Sequence, residues 1–325
     1  MGQVRLLTRA LAPANLRAAW KKVAANKGVA GADDVTLNRF AREWEKNLVA
    51  LREAVRANTY KPKRLRRFRL PKPMGEWRVI SVPCVADRVL QRAVLNVLEW
   101  GLDRKFLDCS FGYRPKRSLQ DAVEQIVKYR DAGLTWVLDA DIDLFFDSLD
   151  HELLMGFLRE EIADEGILNL IGLWLKAGGR DAVLAHSGQP QGLPLRAGRR
   201  DPRRAVGTPL GAVVSPLLSN VYLHRFDRVM CEAGWRLVRY ADDFIVVGPT
   251  RAEVEEAQRF TAWALGNLRL RLDPGKTRVT SFDEGFDFLG VHFERDWYSY
   301  LWKDKRIKVE GKMDVWDFPF QPEGY

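Results

Sequence analysis

Cysteine is nearly missing from this chain: three in 325 residues, at Cys84, Cys109 and Cys231, with no Cys-x-x-Cys pair. That spacing excludes a disulfide framework and a cysteine-built structural zinc site, and it points to a reducing compartment, the cytoplasm. Histidine is scarce too, and His151, His186, His224 and His292 show no ligand spacing. No apolar run is long enough to cross a bilayer, and the N-terminus lacks the uninterrupted apolar core of a signal peptide, so no membrane partner is expected. Acids are few in the first 80 positions, 6 against 19 Lys and Arg, whereas the whole chain carries 43 against 52. A basic N-terminal stretch beside a slightly acidic remainder is the charge pattern of a polyanion grip next to a site that needs carboxylates.

What is present is a globular composition, 46% hydrophobic and 29% charged, with no repeat and no low-complexity linker. Residues 13–57 read as helices broken at Asn26–Gly31, and Leu37 to Ala57 resumes with apolar residues at 3–4 spacing. Residues 61–81 alternate around Pro71-Lys-Pro-Met-Gly, which predicts a hairpin. Helices are expected over Asp87–Trp100, Ser118–Tyr129, His151–Ala177 (broken near Asp164), from Ser215 to about Gly234, and over Arg251–Leu268. Ser215-Pro216 pairs a hydroxyl N-cap with proline at the first helical position. Strands are expected at 135–146, on both sides of Asp242-Asp243, and at 286–293, and residues 179–206 read as a Gly/Pro/Arg-rich excursion. The class is α+β.

Asp141 in Val137-Leu-Asp-Ala-Asp-Ile-Asp-Leu-Phe-Phe146 lies where an apolar, β-prone run turns polar, and so do Asp242 and Asp243 in Arg239-Tyr-Ala-Asp-Asp-Phe244. Either segment alone would read as solvated turn acids. Two such strands side by side would gather three carboxylates, which are costly to bury without a cation and chemically suited to Mg²⁺. Asp139 and Asp143 share the face of Asp141 by strand alternation, so register alone does not choose among them.

In order along the chain, four segments resemble motifs of the reverse transcriptases, above all those of bacterial group II introns and their relatives. They are Ser110-Phe-Gly-Tyr-Arg-Pro-Lys-Arg-Ser118, Asp141-Ile-Asp-Leu-Phe-Phe-Asp-Ser-Leu-Asp-His151, Gly207-Thr-Pro-Leu-Gly-Ala-Val-Val-Ser-Pro-Leu-Leu-Ser-Asn220 and Tyr240-Ala-Asp-Asp243. The resemblance implies a right-hand polymerase: a helical extension at 1–60, fingers at 61–135 with part of the palm helices, a palm at 136–293 and a short tail or linker at 294–325. It implies an RNA-directed DNA polymerase taking an RNA template, a DNA or RNA primer and dNTPs. Two Mg²⁺ ions, replaceable by Mn²⁺, would be held by Asp141, Asp242 and the Ile142 carbonyl, with Asp243 completing the cluster. Asp147 and Asp150 then read as structural or capping acids.

By the same resemblance, Phe146 is the gate against a ribose 2′-OH, and Lys72 and Arg78 grip the triphosphate. Leu210, Gly211, Tyr240 and Ala241 line the nucleotide. Lys63, Arg64, Arg66, Arg67, Arg69 and Arg114 hold nucleic-acid backbone, Phe288-Leu289-Gly290 forms the primer grip, and Lys276 is the proton donor to pyrophosphate. Leu210 replaces the family's Gln, which removes amide hydrogen bonds, and Asp34 stands where relatives carry Gly. Few residues follow Gly290, so the basic helical thumb would be missing or supplied by a partner or fused domain. That compactness resembles the CRISPR-associated branch, which works with an adaptation integrase. The rival readings are an RNA-dependent RNA polymerase, a non-catalytic RNA-binding maturase-like protein, and an anti-phage defence enzyme.

Overall fold

The computed structural model describes residues 5–71, 77–178, 205–302 and 305–310. The chain divides into two units, residues 1–104 with 146–221, and residues 105–145 with 222–325. The expected excursion at 179–206 lies outside the described residues except for its last two.

The first unit is built on the Val85–Asp103 helix. Its Val89, Leu90, Ala93 and Val94 are fully buried, and the Pro13–Ala25 and Trp44–Arg56 helices pack against it. Glu43 leaves helical geometry (φ −131°, ψ 34°), so the single helix expected over 37–57 is two. The hairpin is present: β1 (Arg66–Pro71) pairs antiparallel with β2 (Trp77–Val82), Phe68 opposite Ile80. A buried Asp87 anchors the entry to β1. It accepts hydrogen bonds from Tyr60 Oη at 2.7 Å and from the Lys63 amide at 3.1 Å, and Trp174 Nε1 donates to Tyr60 Oη at 2.9 Å. Burial without full compensation raises the Asp87 pKa, while the two donors oppose the rise. Asp164 caps the Glu165–Gly178 helix by accepting from the Gly166 and Ile167 amides, and Asp150 caps His151–Glu161.

The second unit carries two antiparallel sheets. One has the order β4-β5-β3-β6, with β3 Trp136–Ala140, β4 Arg236–Tyr240, β5 Asp243–Gly248 and β6 Arg278–Ser281. The other is a meander of β7 (Phe286–Phe288), β8 (Val291–Glu294), β9 (Trp297–Trp302) and β10 (Lys305–Glu310). Residues 297–310, expected as tail, are thus strands. Tyr298 and Tyr300 are buried in one cluster with Phe282, Phe286, Phe293, Val137, Ile245 and Ile126. The aromatic alternation of Trp297-Tyr-Ser-Tyr-Leu-Trp302 is a half-buried strand pattern. The strand expected over 135–146 stops at Ala140, and Phe145–Ser148 is a helical turn. The three cysteines are free, but Cys109 and Cys231 approach to 3.4 Å between sulfurs.

Candidate active site

Pairing of β3 with β5 places Ala140 opposite Phe244 and Asp139 opposite Ile245. Asp141 therefore leaves the end of β3 beside the β4–β5 turn that carries Asp242 and Asp243. In that turn Tyr240 pairs with Asp243 and Ala241 adopts a left-handed φ of +60°, an unusual conformation for a residue with a Cβ. Asp141 is buried. Its carboxylate accepts from the Ile142 amide at 2.9 Å and takes the Lys276 ammonium in an ion pair. Ile142 forms a bridge with Leu272; the two hydrogen bonds there use the Asp141 carbonyl and the Asp143 amide, so the Ile142 carbonyl takes no part in them.

The Asp273-Pro-Gly-Lys turn delivers Lys276. Asp273 accepts from the Gly275 amide through its side chain and from the Lys276 and Thr277 amides through its carbonyl. The hydrogen bond to Asp141 raises the Lys276 pKa, keeping the ammonium charged. Asp139 is engaged elsewhere, with Arg278 at 3.1 Å.

Asp243 reaches solvent, yet its carboxyl is pushed up to about 7. Loss of surrounding water is the largest cause, followed by the negative charges of Asp141 and Asp242, while Lys276 pulls the other way. Neighbouring like charges cannot all ionise freely. Among the described residues, no three His, Cys, Asp or Glu side chains converge as a ready ligand set. Mg²⁺ does not require one: it binds through one or two carboxylates, with substrate phosphates and water completing the shell. The hard-oxygen donors, their mutual repulsion and a cation already drawn to Asp141 all fit such an ion.

The pKa predicts a pH-dependent metal affinity. Below about pH 7 the proton on Asp243 must leave when a cation binds, so affinity should rise up to tenfold per pH unit toward 7 and then level. Mn²⁺ binding followed by paramagnetic resonance between pH 5.5 and 8 checks this, and a flat profile would contradict it.

Gly112 explains why the Ser110–Ser118 segment carries glycine. A Cβ there would lie 2.4 Å from the Ala241 nitrogen and 3.0 Å from the Tyr240 carbonyl carbon. Gly112→Ala should cost about tenfold or more in kcat by shifting the turn; wild-type turnover in a folded G112A protein would refute this.

Several expectations change. Arg114 does not face nucleic acid: it is buried and donates to the carbonyls of Leu107 and Ser110 at 2.6 and 2.8 Å, which ties the loop to itself. Phe288 is buried in the core and Leu289 packs against it; of the three residues expected to grip a primer, Gly290 is exposed, on a turn with φ +54° at Leu289 and +77° at Gly290. Lys63 and Arg66 already hold carboxylates, Lys63 with Asp33 at 3.0 Å and Arg66 with Asp34. Arg64 and Arg69 are exposed. Lys72 lies outside the described residues, and Arg78 is placed only as a β2 position.

The first unit brings Phe146, Leu210 and Gly211 toward common elements. Thr208 N donates to Phe146 O at 2.8 Å, and Ser81 N of β2 donates to Leu210 O at 2.7 Å. Gly211 (φ +107°) leaves no room for a Cβ, which would meet Ile80 Cγ2 at 2.9 Å.

Sequence reasoning missed three buried residues behind the turn. Arg239 donates to Asp227 through Nε and Nη2, both at 2.6 Å, to Ser110 Oγ at 2.7 Å and to the Ala241 carbonyl at 2.8 Å. Arg239, Asp227 and Ser110 are all fully buried. The available signal was an arginine inside an apolar strand, directly before the acidic turn.

Residues 70–293 match the reverse transcriptase (RNA-dependent DNA polymerase) family. The chain belongs to that family. This reverse transcriptase is 31% identical to Protein YkfC of Escherichia coli over 88% of its own length and 82% of that protein. It is 30% identical to the group II intron-encoded protein LtrA of Lactococcus lactis over 74% of its own length, which places it in the group II intron-like lineage. It spans only 37% of LtrA. In structure it is similar to telomerase from Candida albicans, with a TM-score of 0.52 over 79% of this chain and 48% of that one. At 15% identity that likeness speaks for the fingers-and-palm fold alone.

Proposed function

We propose that this chain extends a DNA or RNA primer on an RNA template with dNTPs. The observation that carries the proposal is the meeting of Asp141 with the Asp242–Asp243 turn, close enough for their charges to raise the Asp243 pKa. Asp141, Asp242 and the Ile142 carbonyl would hold Mg²⁺, two ions or Mn²⁺ in their place, with Asp243 completing the acidic surround. Such ions, when bound, activate the primer 3′-OH and stabilise the departing phosphate oxygen. Lys276 keeps a proton on Nζ beside the cluster, where it can be passed to leaving pyrophosphate. Phe146, half-buried, would bar a 2′-OH, and Leu210, Gly211, Tyr240 and Ala241 would each contact the nucleotide. Lys72 and Arg78 on the hairpin would grip the triphosphate. Lys63, Arg64, Arg66, Arg67 and Arg69 would hold template phosphates. Each phosphate these cations neutralise releases counterions, so template binding should weaken with salt, less steeply for Lys63 and Arg66, which exchange one anion for another.

Primer extension on poly(rA)–oligo(dT) tests the reading, with dTTP and UTP offered separately. Incorporation of dTTP alone is expected. Incorporation of UTP would make the chain an RNA polymerase, and RNA binding without either would make it non-catalytic. A CRISPR adaptation integrase as partner is tested by the neighbouring genes and, where they encode an integrase, by co-purification with it; a neighbouring intron or defence cluster would assign a different pathway.

A further inference from the structure

Hydrogen bonds of Arg239 link three parts of the chain, one of them 129 residues away. Asp227 lies on the Ser215–Glu232 helix, Ser110 on the loop before Leu119–Asp131, and Ala241 inside the acidic turn. The main chain repeats the link: Arg239 N donates to Cys109 O and Phe111 N to Arg239 O, each at 2.8 Å. The Ala241 carbonyl and the Asp242 amide belong to one peptide plane. A donor fixed on that carbonyl sets the plane from which Asp242 departs. Ala241 needs such support, because its left-handed φ of +60° is strained for an L-residue, and alanine has no polar side chain to stabilise it locally. Asp227 holds the guanidinium plane bidentately, and Ser110 fixes the remaining edge, so the fork has one orientation.

We propose that Arg239, oriented by Asp227 and Ser110, is the positioning residue of the acidic turn and sets the aim of Asp242 for its cation. This rests on the reading of Asp242 as a metal-binding carboxylate. The alternative is an ion pair that serves stability alone. A neutral pair of similar bulk separates the two, because replacing both buried charges by apolar groups commonly preserves folding.

The experiment compares wild type with R239M/D227L and with R239K, which keeps the charge opposite Asp227 but cannot reach Asp227, Ser110 and Ala241 together. Melting temperature establishes folding. Steady-state primer extension then gives kcat, the dNTP KM and the half-saturating Mg²⁺ concentration. Each folded variant is expected to lose about 10- to 100-fold in kcat and to need several-fold more Mg²⁺, with dNTP KM nearly unchanged. Wild-type kcat in either folded variant would overturn the proposal, and so would lost kcat with unchanged Mg²⁺ dependence. If wild type itself incorporates no nucleotide, the polymerase reading fails instead, and the two failures are distinguished by the wild-type lane.

Discussion

Asp242→Asn abolishes nucleotide incorporation, by about 10³-fold or more, while leaving the protein as stable as before or more so. The two halves of this expectation have one cause. Asp242 contributes negative charge to a cluster in which Asp243 is already pushed up to about 7. A carboxyl raised from its ordinary value near 3.8 binds a proton in the folded state that the unfolded chain has released. Without divalent ions, folding stability therefore falls as pH rises from about 4 through 7, as the folded protein is obliged to carry the clustered charges. Removing one charge relieves part of that repulsion, and on the proposed reading it also removes a fully charged oxygen meant for the cation. Primer extension with Mg²⁺ measures the first, and thermal melting at pH 8 in a chelator the second. Retained polymerisation by D242N would remove the enzymatic reading, and a large drop in melting temperature would mean that Asp242 is a structural acid.

Arg239→Ala is expected to destabilise the protein by about 3–5 kcal/mol, lowering the melting temperature on the order of 10 °C. Asp227 is fully buried, and the substitution would leave it facing an uncompensated apolar interior. The effect should exceed that of R239M/D227L, in which no charge is stranded. Equal melting temperatures for R239A and wild type would show that water enters to solvate Asp227.

Much of the site was legible along the chain. Asp141, Asp242 and Asp243 announce themselves because acids at the ends of apolar strands are costly without a cation. The hairpin of β1 and β2, the Ser118 and Asp150 caps, and the Ser215 helix start all follow from rules acting over a few residues. The strand expected over 286–293 is instead two, β7 and β8, folded back at Leu289-Gly290.

What could not be read depends on partners far apart in sequence. Arg114 looked like a phosphate ligand because its charge is visible in sequence, while the carbonyls that consume it are a property of the folded loop. Lys63 and Arg66 read as free cations along the chain, whereas the fold pairs them with Asp33 and Asp34, about thirty residues away. The stretch 297–310 looked like a tail until β8 supplied the hydrogen bonds and the core its apolar cover. The residues of this chain thus determined by themselves its acids, its strand ends and its local caps. Folding alone brought Ser110, Asp227 and Arg239 together across 129 residues, because hydrogen-bond geometry and burial are settled by which elements meet.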